Sequence, residues 1–553
     1  MERQVNGWMV DMIICYTDAN RAINLRWRDE NKVRQEKTIE DFEPYFFINN
    51  LETEYNSYTI STSIGGKRVK LTYPFKYETG DWRSLQGTLL KKVKVLKAGD
   101  VKTARKMWRN TYEGDVPFHY RYCIDNVNEV TNTNLRKWYW DMEWINKDPE
   151  HGDAITAIVV YDNYTEKFTT LTWLPNESSE KEMLEQFINL IQTQDPDMLI
   201  SWFGSFADLP KLIERLDYND IDPRGLSPYN DVKGCSFGKV SKYIHNYSQI
   251  EQPIRGRITL DLNVAFERQW TDSQRGTLPS LALDYVSELV LGQKKLVSEK
   301  FPDKNEFFRR GWLEDRETYL EYALIDVDLI KRLDDEMGLS DGILALQSLL
   351  NAPFDACFYV TNMATIYFMR NANWIAPTGD KSMIKEKYEG AMIYNPLQNK
   401  TNGLHIGVAA FDFAGLYPSM MLSRNISFET KSAKPTEFAC NLATPRDFSI
   451  TDEKKMVYYK TDKLGLLPRS VLELKTLRDE YKRKMKKAKA DGNKKEYTKW
   501  FNNQMAAKRL MASFYGVIAK QGFGWSDVQL AASITASARE AIRTAAFKVQ
   551  EME

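Results

Sequence analysis

One heptapeptide limits what this chain can fold into. Trp138-Tyr139-Trp140-Asp141-Met142-Glu143-Trp144 is apolar and aromatic except for two acids. Along a strand, residues i and i+2 project from the same side, so Asp141 and Glu143 converge on one face of a segment whose other residues belong in a core. Taking two carboxylates out of water together requires a counter-charge. Divalent cations supply one; the other reading is an ordinary edge strand with both acids in water. The flanking sequence, 131 to about 335, alternates strand-like and helix-like runs. Leu199-Ile200-Ser201-Trp202 reads as a strand, and Glu180 to Gln194 and Arg316 to Met337 read as helices, an α/β pattern.

Composition decides which metal chemistry is open. The five cysteines form no C-x-x-C pair, and the four histidines (119, 151, 245, 405) are scattered. A disulfide framework, a cysteine zinc site and an H-E-x-x-H site are therefore excluded. Carboxylate ligands point to Mg²⁺ or Mn²⁺. Lys+Arg and Asp+Glu each number 76, so the net charge is zero. That excludes a histone-like binder and an acidic disordered protein, but not a nucleic-acid enzyme with its charge gathered locally. Such gathering exists: residues 475–500 hold Lys/Arg at 475, 478, 482, 483, 484, 486, 487, 489, 494, 495 and 499 against acids at 479, 480, 491 and 496. At about 150 residues per domain, 553 residues make three or four domains. No run of 18 apolar residues and no apolar core after Met1 occur, so no membrane span is expected and the chain is placed in a cytoplasm, prokaryotic or of a virus-infected cell.

Two further segments join the first. Asp197 to Asp208 reads as a strand, a glycine turn at Gly204, then an acid at a helix start. Tyr322 and Asp326 are four apart, on one helix face. Carboxylates and a tyrosine in this order suit two-metal hydrolysis of a phosphodiester. The set resembles the three exonuclease motifs of the 3′–5′ proofreading domain of family B DNA polymerases. The resemblance implies an RNase H-like domain in which Asp141, Glu143, Asp208 and Asp326 ligate metal and Tyr322 positions water. The family's Asn and Phe ahead of the third acid are Phe203 and Ala207 here, which changes the contacts to the primer end. Asp261, in Arg257-Ile258-Thr259-Leu260-Asp261-Leu262, reads as structural.

A second site follows. Val408 to Phe411 reads as a buried strand ending at Asp412, with a turn and a proline-started helix behind it. An acid there can hold Mg²⁺ or simply cap the helix. Asp412-Phe413-Ala414-Gly415-Leu416-Tyr417-Pro418-Ser419 resembles motif A of the same family, which implies Asp412 and the Phe413 carbonyl as metal ligands and Tyr417 under the sugar. Tyr388-Glu389-Gly390-Ala391 resembles the Y-x-G-G/A element, implying DNA contact by Tyr388 and Gly390. Lys508 to Gly516 resembles motif B, with Ala512 for the family's Asn, and Ile534 to Arg539 resembles the helix after it. Arg478 and Lys482 share one helix face, and Gln504, Lys508, Ala512 and Tyr515 another. Opposed across a hairpin turned at Asp491-Gly492-Asn493, these faces can grip a nucleotide triphosphate. Phe42-Glu43-Pro44-Tyr45 and Val116 to Tyr122 resemble archaeal members, whose N-terminal domain senses template uracil.

The expected architecture mixes α/β and α+β domains. A β-rich N-terminal domain spans 1–130, with 340–372 returning to it; the exonuclease domain spans 131–339; a first, partial palm spans 373–466; helical-hairpin fingers span 467–507; and 508–553 holds the motif B helix and the start of a second palm part. The second palm acid, motif C, and the thumb are absent, and after Gly516 the acids are Asp527, Glu540, Glu551 and Glu553. The expected function is a large fragment or subunit of a DNA-templated DNA polymerase with proofreading. Its partners would be primer-template DNA, dNTPs, a second polypeptide bringing motif C and thumb, and a sliding clamp. A stand-alone 3′–5′ exonuclease and a non-catalytic DNA-binding or assembly subunit are the rival readings.

Overall fold

The computed structural model describes residues 8–10, 14–17, 22–64, 66–130, 134–145, 149–236, 239–241, 252–272, 276–382, 385–392, 403–409 and 412–551. The centre of the fold is a five-stranded sheet of β1 (Lys137–Trp144), β2 (Ile155–Asp162), β3 (Lys167–Thr172), β4 (Met198–Ser201) and β5 (Ile258–Asp261), in the order β3-β2-β1-β4-β5. Strands β1, β2 and β3 pair antiparallel; β4 joins β1, and β5 joins β4, in parallel. The parallel half needs crossovers, and the one from β1 to β4 contains the helix Glu180–Gln194 that the sequence indicated. The helix Glu180–Gln194 starts where Ser179 and Glu182 close a reciprocal capping box.

Alternation along β1 sorts its residues between the two faces. Trp138, Trp140 and Met142 enter one core with Met183, Leu184 and Phe187. Tyr139, Asp141 and Glu143 take the other face, where helix α2 (Arg316–Met337) lies after helix α1 (Asp208–Tyr218) earlier in the chain. The Tyr139 hydroxyl donates to Asp334 of α2 at 2.7 Å, and Thr156 and Tyr319 hydroxyls pair at 2.7 Å. Helix α2 stops at Gly338, whose φ of +61° an L side chain adopts poorly.

The N-terminal region is β-rich, with Ile23–Arg28 between Ile14–Thr17 and Arg34–Ile39, and Tyr45–Asn49 paired to Leu89–Lys94. It is clamped to the central sheet by charge. Arg28 Nε bonds Asp197 at 2.7 Å, Arg34 Nε bonds Asp195 at 2.9 Å, and Arg26 Nη2 bonds Asp195 at 3.1 Å. Burial raises the Asp195 carboxyl, but Arg26, Arg34 and Arg257 outweigh it and hold it low. Residues after 339 return to the same region: Arg370 donates to the Val127 and Cys123 carbonyls, and Asn351 accepts from the Val130 amide.

The basic stretch is a helical hairpin, α4 (Leu466–Ala490) and α5 (Lys494–Ala519), following α3 (Leu339–Leu350) and turned at 491–493 as the sequence indicates. Helix α5 leans on the α2–α3 junction: Asn502 donates to the Gly338 carbonyl at 2.9 Å, and a Cβ on Gly338 would lie 2.6 Å from both Asn502 Nδ2 and Thr498 Cγ2. Beyond it, α6 (Val528–Gln550) packs on an antiparallel sheet of Lys431–Ser432, Met456–Tyr459 and Phe438–Asn441, with the Tyr459 hydroxyl donating to Ser533 Oγ at 2.8 Å.

The sequence expectation fails in the segment before Asp412. The sequence reads as a buried strand from Val408 to Phe411 ending at Asp412. Among the described residues there is no strand between 388 and 430, and Leu404, Ile406 and Val408 are 92%, 92% and 74% exposed. Residues 410 and 411 lie outside the described residues. The alternating Leu404, Ile406 and Val408 have a strand's period, but a strand needs a neighbour for its N–H and C=O groups. No such neighbour pairs with the described residues here.

Candidate active site

The first acidic group assembles at the face between β1 and α2. Asp141, Glu143 and Asp326 each offer an oxygen, and the three oxygens lie within 4.8 Å of one another. Asp208, at the first turn of α1, faces them electrostatically but stands outside that three-oxygen group. Glu143, Asp208, Asp326 and Tyr322 are buried. Burial, then the neighbouring Asp326 charge, pushes the Asp141 carboxyl up to about 7, with Lys295 pulling the other way. Glu143 and Asp208 are raised well above the carboxylate range, first by burial and then by Asp141. Asp326 is raised by burial against the pull of Lys295. Its Oδ1 is buried without a hydrogen-bond partner. Crowded hard oxygen donors, one of them orphaned, fit Mg²⁺ or Mn²⁺.

Sequence reasoning missed Lys295. Its ammonium pairs with Asp326 Oδ2 at 2.5 Å and donates to the Tyr322 hydroxyl at 3.2 Å. Burial would lower it; Asp326, Tyr322 and Asp141 outweigh burial and raise it. Nothing local marks it, since Gly292-Gln293-Lys294-Lys295 reads as a solvated turn and its partners lie about thirty residues on.

The turn carrying Asp208 is tightly built. Gly204 N donates to Ser201 Oγ at 3.0 Å, and a Cβ on Gly204 would sit 2.2 Å from that oxygen. Asp261 accepts from Ser205 N at 3.0 Å and Ser205 Oγ at 3.1 Å. The residue read as structural thus ties β5 to the turn before Asp208. Beside Glu143 opens a cleft of ≈ 590 Å³ lined by Trp144, Asn305, Glu306, Phe308 and Arg309.

The second group is looser. Asp412 and Phe413 are exposed, ahead of the helix Leu416–Ser423. Tyr417 and Tyr515 rings meet at 4.5 Å, and Tyr388 and Tyr515 hydroxyls pair at 3.0 Å, so three separate segments converge. Arg539 donates to the Glu389 and Gly390 carbonyls at 2.9 and 2.6 Å, which fixes the backbone beside Tyr388. Across the hairpin, Arg478 Nε donates to Gln504 at 3.2 Å. Burial, then Arg478, lowers the Lys482 ammonium, with Lys508 adding to the effect. Three cations gathered on facing helices, with Asp479 opposing the mutual repulsion at Lys482, suit a polyanion. In the N-terminal region, a pocket of ≈ 290 Å³ joins Pro44, Tyr45, Val101, Arg105, Pro117 and Arg121, and Arg105 Nη1 is buried there without a hydrogen-bond partner.

The exonuclease domain of DNA polymerase family B matches residues 141–286, and DNA polymerase family B matches residues 362–553. A DNA polymerase of Pyrococcus glycovorans is 28% identical over 464 residues, covering 80% of this chain and 54% of its own length. One from Desulfurococcus sp. (strain Tok) is 27% identical over 465 residues, with the same coverage. The chain thus spans about half the length of the curated relatives it matches. The structure of the family B DNA polymerase from Pyrobaculum calidifontis shares the fold, with a TM-score of 0.70 at 19% identity over 98% of this chain and 72% of that one. Among the described residues no helix is long and apolar enough to cross a membrane.

Proposed function

From a chain that carries the exonuclease and polymerase domains of DNA polymerase family B, we propose a 3′–5′ exonuclease centre at Asp141, Glu143, Asp208, Asp326 and Tyr322, coupled to a nucleotide-joining site at Asp412. The observation that carries the reading is the three-oxygen group, two of its acids buried, with its orphaned Asp326 Oδ1. A pair of Mg²⁺ or Mn²⁺ ions held there would activate water and stabilise the leaving 3′ oxygen. Tyr322 Oη orients the attacking water. Lys295 offsets the acids' repulsion and holds Asp326 in place.

At the second site, Arg478, Lys482 and Lys508 bind the phosphates of a dNTP. Tyr417 and Tyr515 pack beneath its sugar and base, and Tyr388 and Gly390 meet the template. Asp412 and the Phe413 carbonyl would hold metal, together with a carboxylate from strands that pair with 404–409. Those strands, and the thumb, come from a second polypeptide or a longer form of this chain; the exposed alternation of Leu404, Ile406 and Val408 supports that reading. A sliding clamp is a further partner. The N-terminal pocket, with its unpartnered Arg105 nitrogen, favours one more reading, capture of a template uracil.

One experiment tests these readings together. With Mg²⁺ and a labelled primer-template, the chain alone should shorten the primer and, with dNTPs, fail to extend it. A uracil ahead of the primer should tighten binding about tenfold over thymine. Full extension by the chain alone would overturn the incomplete palm, and equal affinity for both templates would overturn the uracil pocket.

A further inference from the structure

The hairpin of α4 and α5 has two sides with different surroundings. Gln504, which accepts from Arg478, marks the side of the phosphate-binding cations. Asn502 projects about 160° away from Gln504 around the helix. That second side is seated on the exonuclease domain. Asn502 donates to the Gly338 carbonyl at 2.9 Å. Lys494, about two turns earlier on α5, pairs with Glu336 at 2.6 Å. Asp341 is held low first by Lys137, with Lys495 of the hairpin adding to the effect. The seat itself is firm: Ser340 N and Oγ donate to Asp334 at 2.8 and 2.6 Å, and Gln269 donates to the Met337 carbonyl at 3.0 Å.

At the tip end this contact is polar, which makes it releasable. Asn502 is the first buried residue of α5, and Lys494 to Phe501 are all partly or fully exposed. From Leu510 onward the helix is fixed, with Leu510, Phe514, Val517 and Ile518 in the main core. Beside the contact opens a cleft of ≈ 1550 Å³, with Asp335 and Glu336 on the exonuclease side and Lys494, Lys495 and Lys499 on the hairpin side. Water entering that cleft can replace one hydrogen bond and one exposed ion pair at little cost. An apolar seal would resist parting far more strongly.

We propose that Asn502 and Lys494 latch the hairpin to the exonuclease domain, and that a nucleotide drawing on Arg478, Lys482 and Lys508 releases the latch, so that the exonuclease domain is a brake on nucleotide binding. The proposal rests on the dNTP reading of those three cations and adds regulation to it. Because Gln504 and Asn502 face apart, movement of the tip toward the phosphates carries Asn502 away from Gly338. The two contacts therefore compete, and the latched fraction lowers the apparent affinity for nucleotide. The seat lies at the end of α2, the helix that also carries Tyr322 and Asp326, so one element serves the exonuclease centre and the latch.

Two measurements on the full chain test the latch. A water-soluble carbodiimide joins a carboxylate and an ammonium in contact as an amide. Glu336 and Lys494 should couple in the nucleotide-free chain, read by mass spectrometry of the joined peptides. Saturating dATP with Mg²⁺ should lower that yield about fivefold or more. In equilibrium dialysis, Lys494→Glu/Asn502→Ala should bind dATP with a Kd about tenfold below that of the wild type. Lys494→Glu alone should tighten binding about threefold, and adding Glu336→Lys should restore the wild-type value. A general loosening of the fold would not be reversed by that swap. If the free chain fails to couple Glu336 to Lys494, the latch is overturned. An amide yield indifferent to dATP that dialysis shows bound, or equal Kd for wild type and double variant, also overturns it and leaves the joining site standing. Binding of dATP by neither protein would strike the joining-site reading itself, and the brake with it.

Discussion

Asp141→Asn should reduce digestion of single-stranded DNA by about a thousandfold or more, because it removes a carboxylate that positions metal and each 1.4 kcal/mol of lost transition-state stabilisation is about tenfold in rate. The same substitution should leave the metal-free protein at least as stable as the wild type at pH 8. Burial and Asp326 raise the Asp141 carboxyl from 3.8 to about 7 in the fold. Between those two values the folded chain holds more protons than the unfolded one, so stability declines as pH rises through the window and the penalty is complete above about 7. Asparagine cannot ionise and escapes it. Thermal melts in EDTA at pH 5 and pH 8, run beside a gel assay of digestion, check both halves. A large loss of stability at pH 8 would mean that the acid is held by attractive partners, not crowded by like charge.

The second large effect belongs to Lys295. It lowers the carboxyls of Asp141, Glu143, Asp208 and Asp326, opposing burial in each case. Lys295→Met should let all four keep protons to higher pH. The acid limb of the exonuclease pH profile should then move in the alkaline direction by about one unit or more, with activity down about tenfold at pH 7 and largely recovered near pH 9. An unmoved limb would show that Lys295 does not tune the acids. A faster variant would show instead that the ammonium competes with metal for Asp326.

The sequence was most readable where geometry is local. Period-2 alternation in Trp138–Trp144 put both acids on one face, and the four-residue step from Tyr322 to Asp326 put a phenol and a carboxylate on one helix. The turn at 491–493 located the ends of the hairpin's two helices closely. Two things stayed hidden because they depend on distant partners. Lys295 is an anonymous surface-type lysine until α2 brings Asp326 to it. The 404–413 segment has a strand's pattern, yet a pattern specifies a face and not the neighbour whose hydrogen bonds make the strand. Phe203 lay between these cases: it was plain as a departure from the family's residue, but only the folded turn shows its ring stacked on Phe206 with both held out in water.

The central claim is that the buried carboxylates are a metal centre. Crystals soaked in Mn²⁺ and measured at its absorption edge test it most directly. The account predicts two anomalous peaks between Asp141, Glu143, Asp208 and Asp326, at about 2.0–2.3 Å from their oxygens, with Lys295 displaced from or sharing Asp326. A map with no peak there at millimolar Mn²⁺, and Lys295 still seated on Asp326, would contradict it.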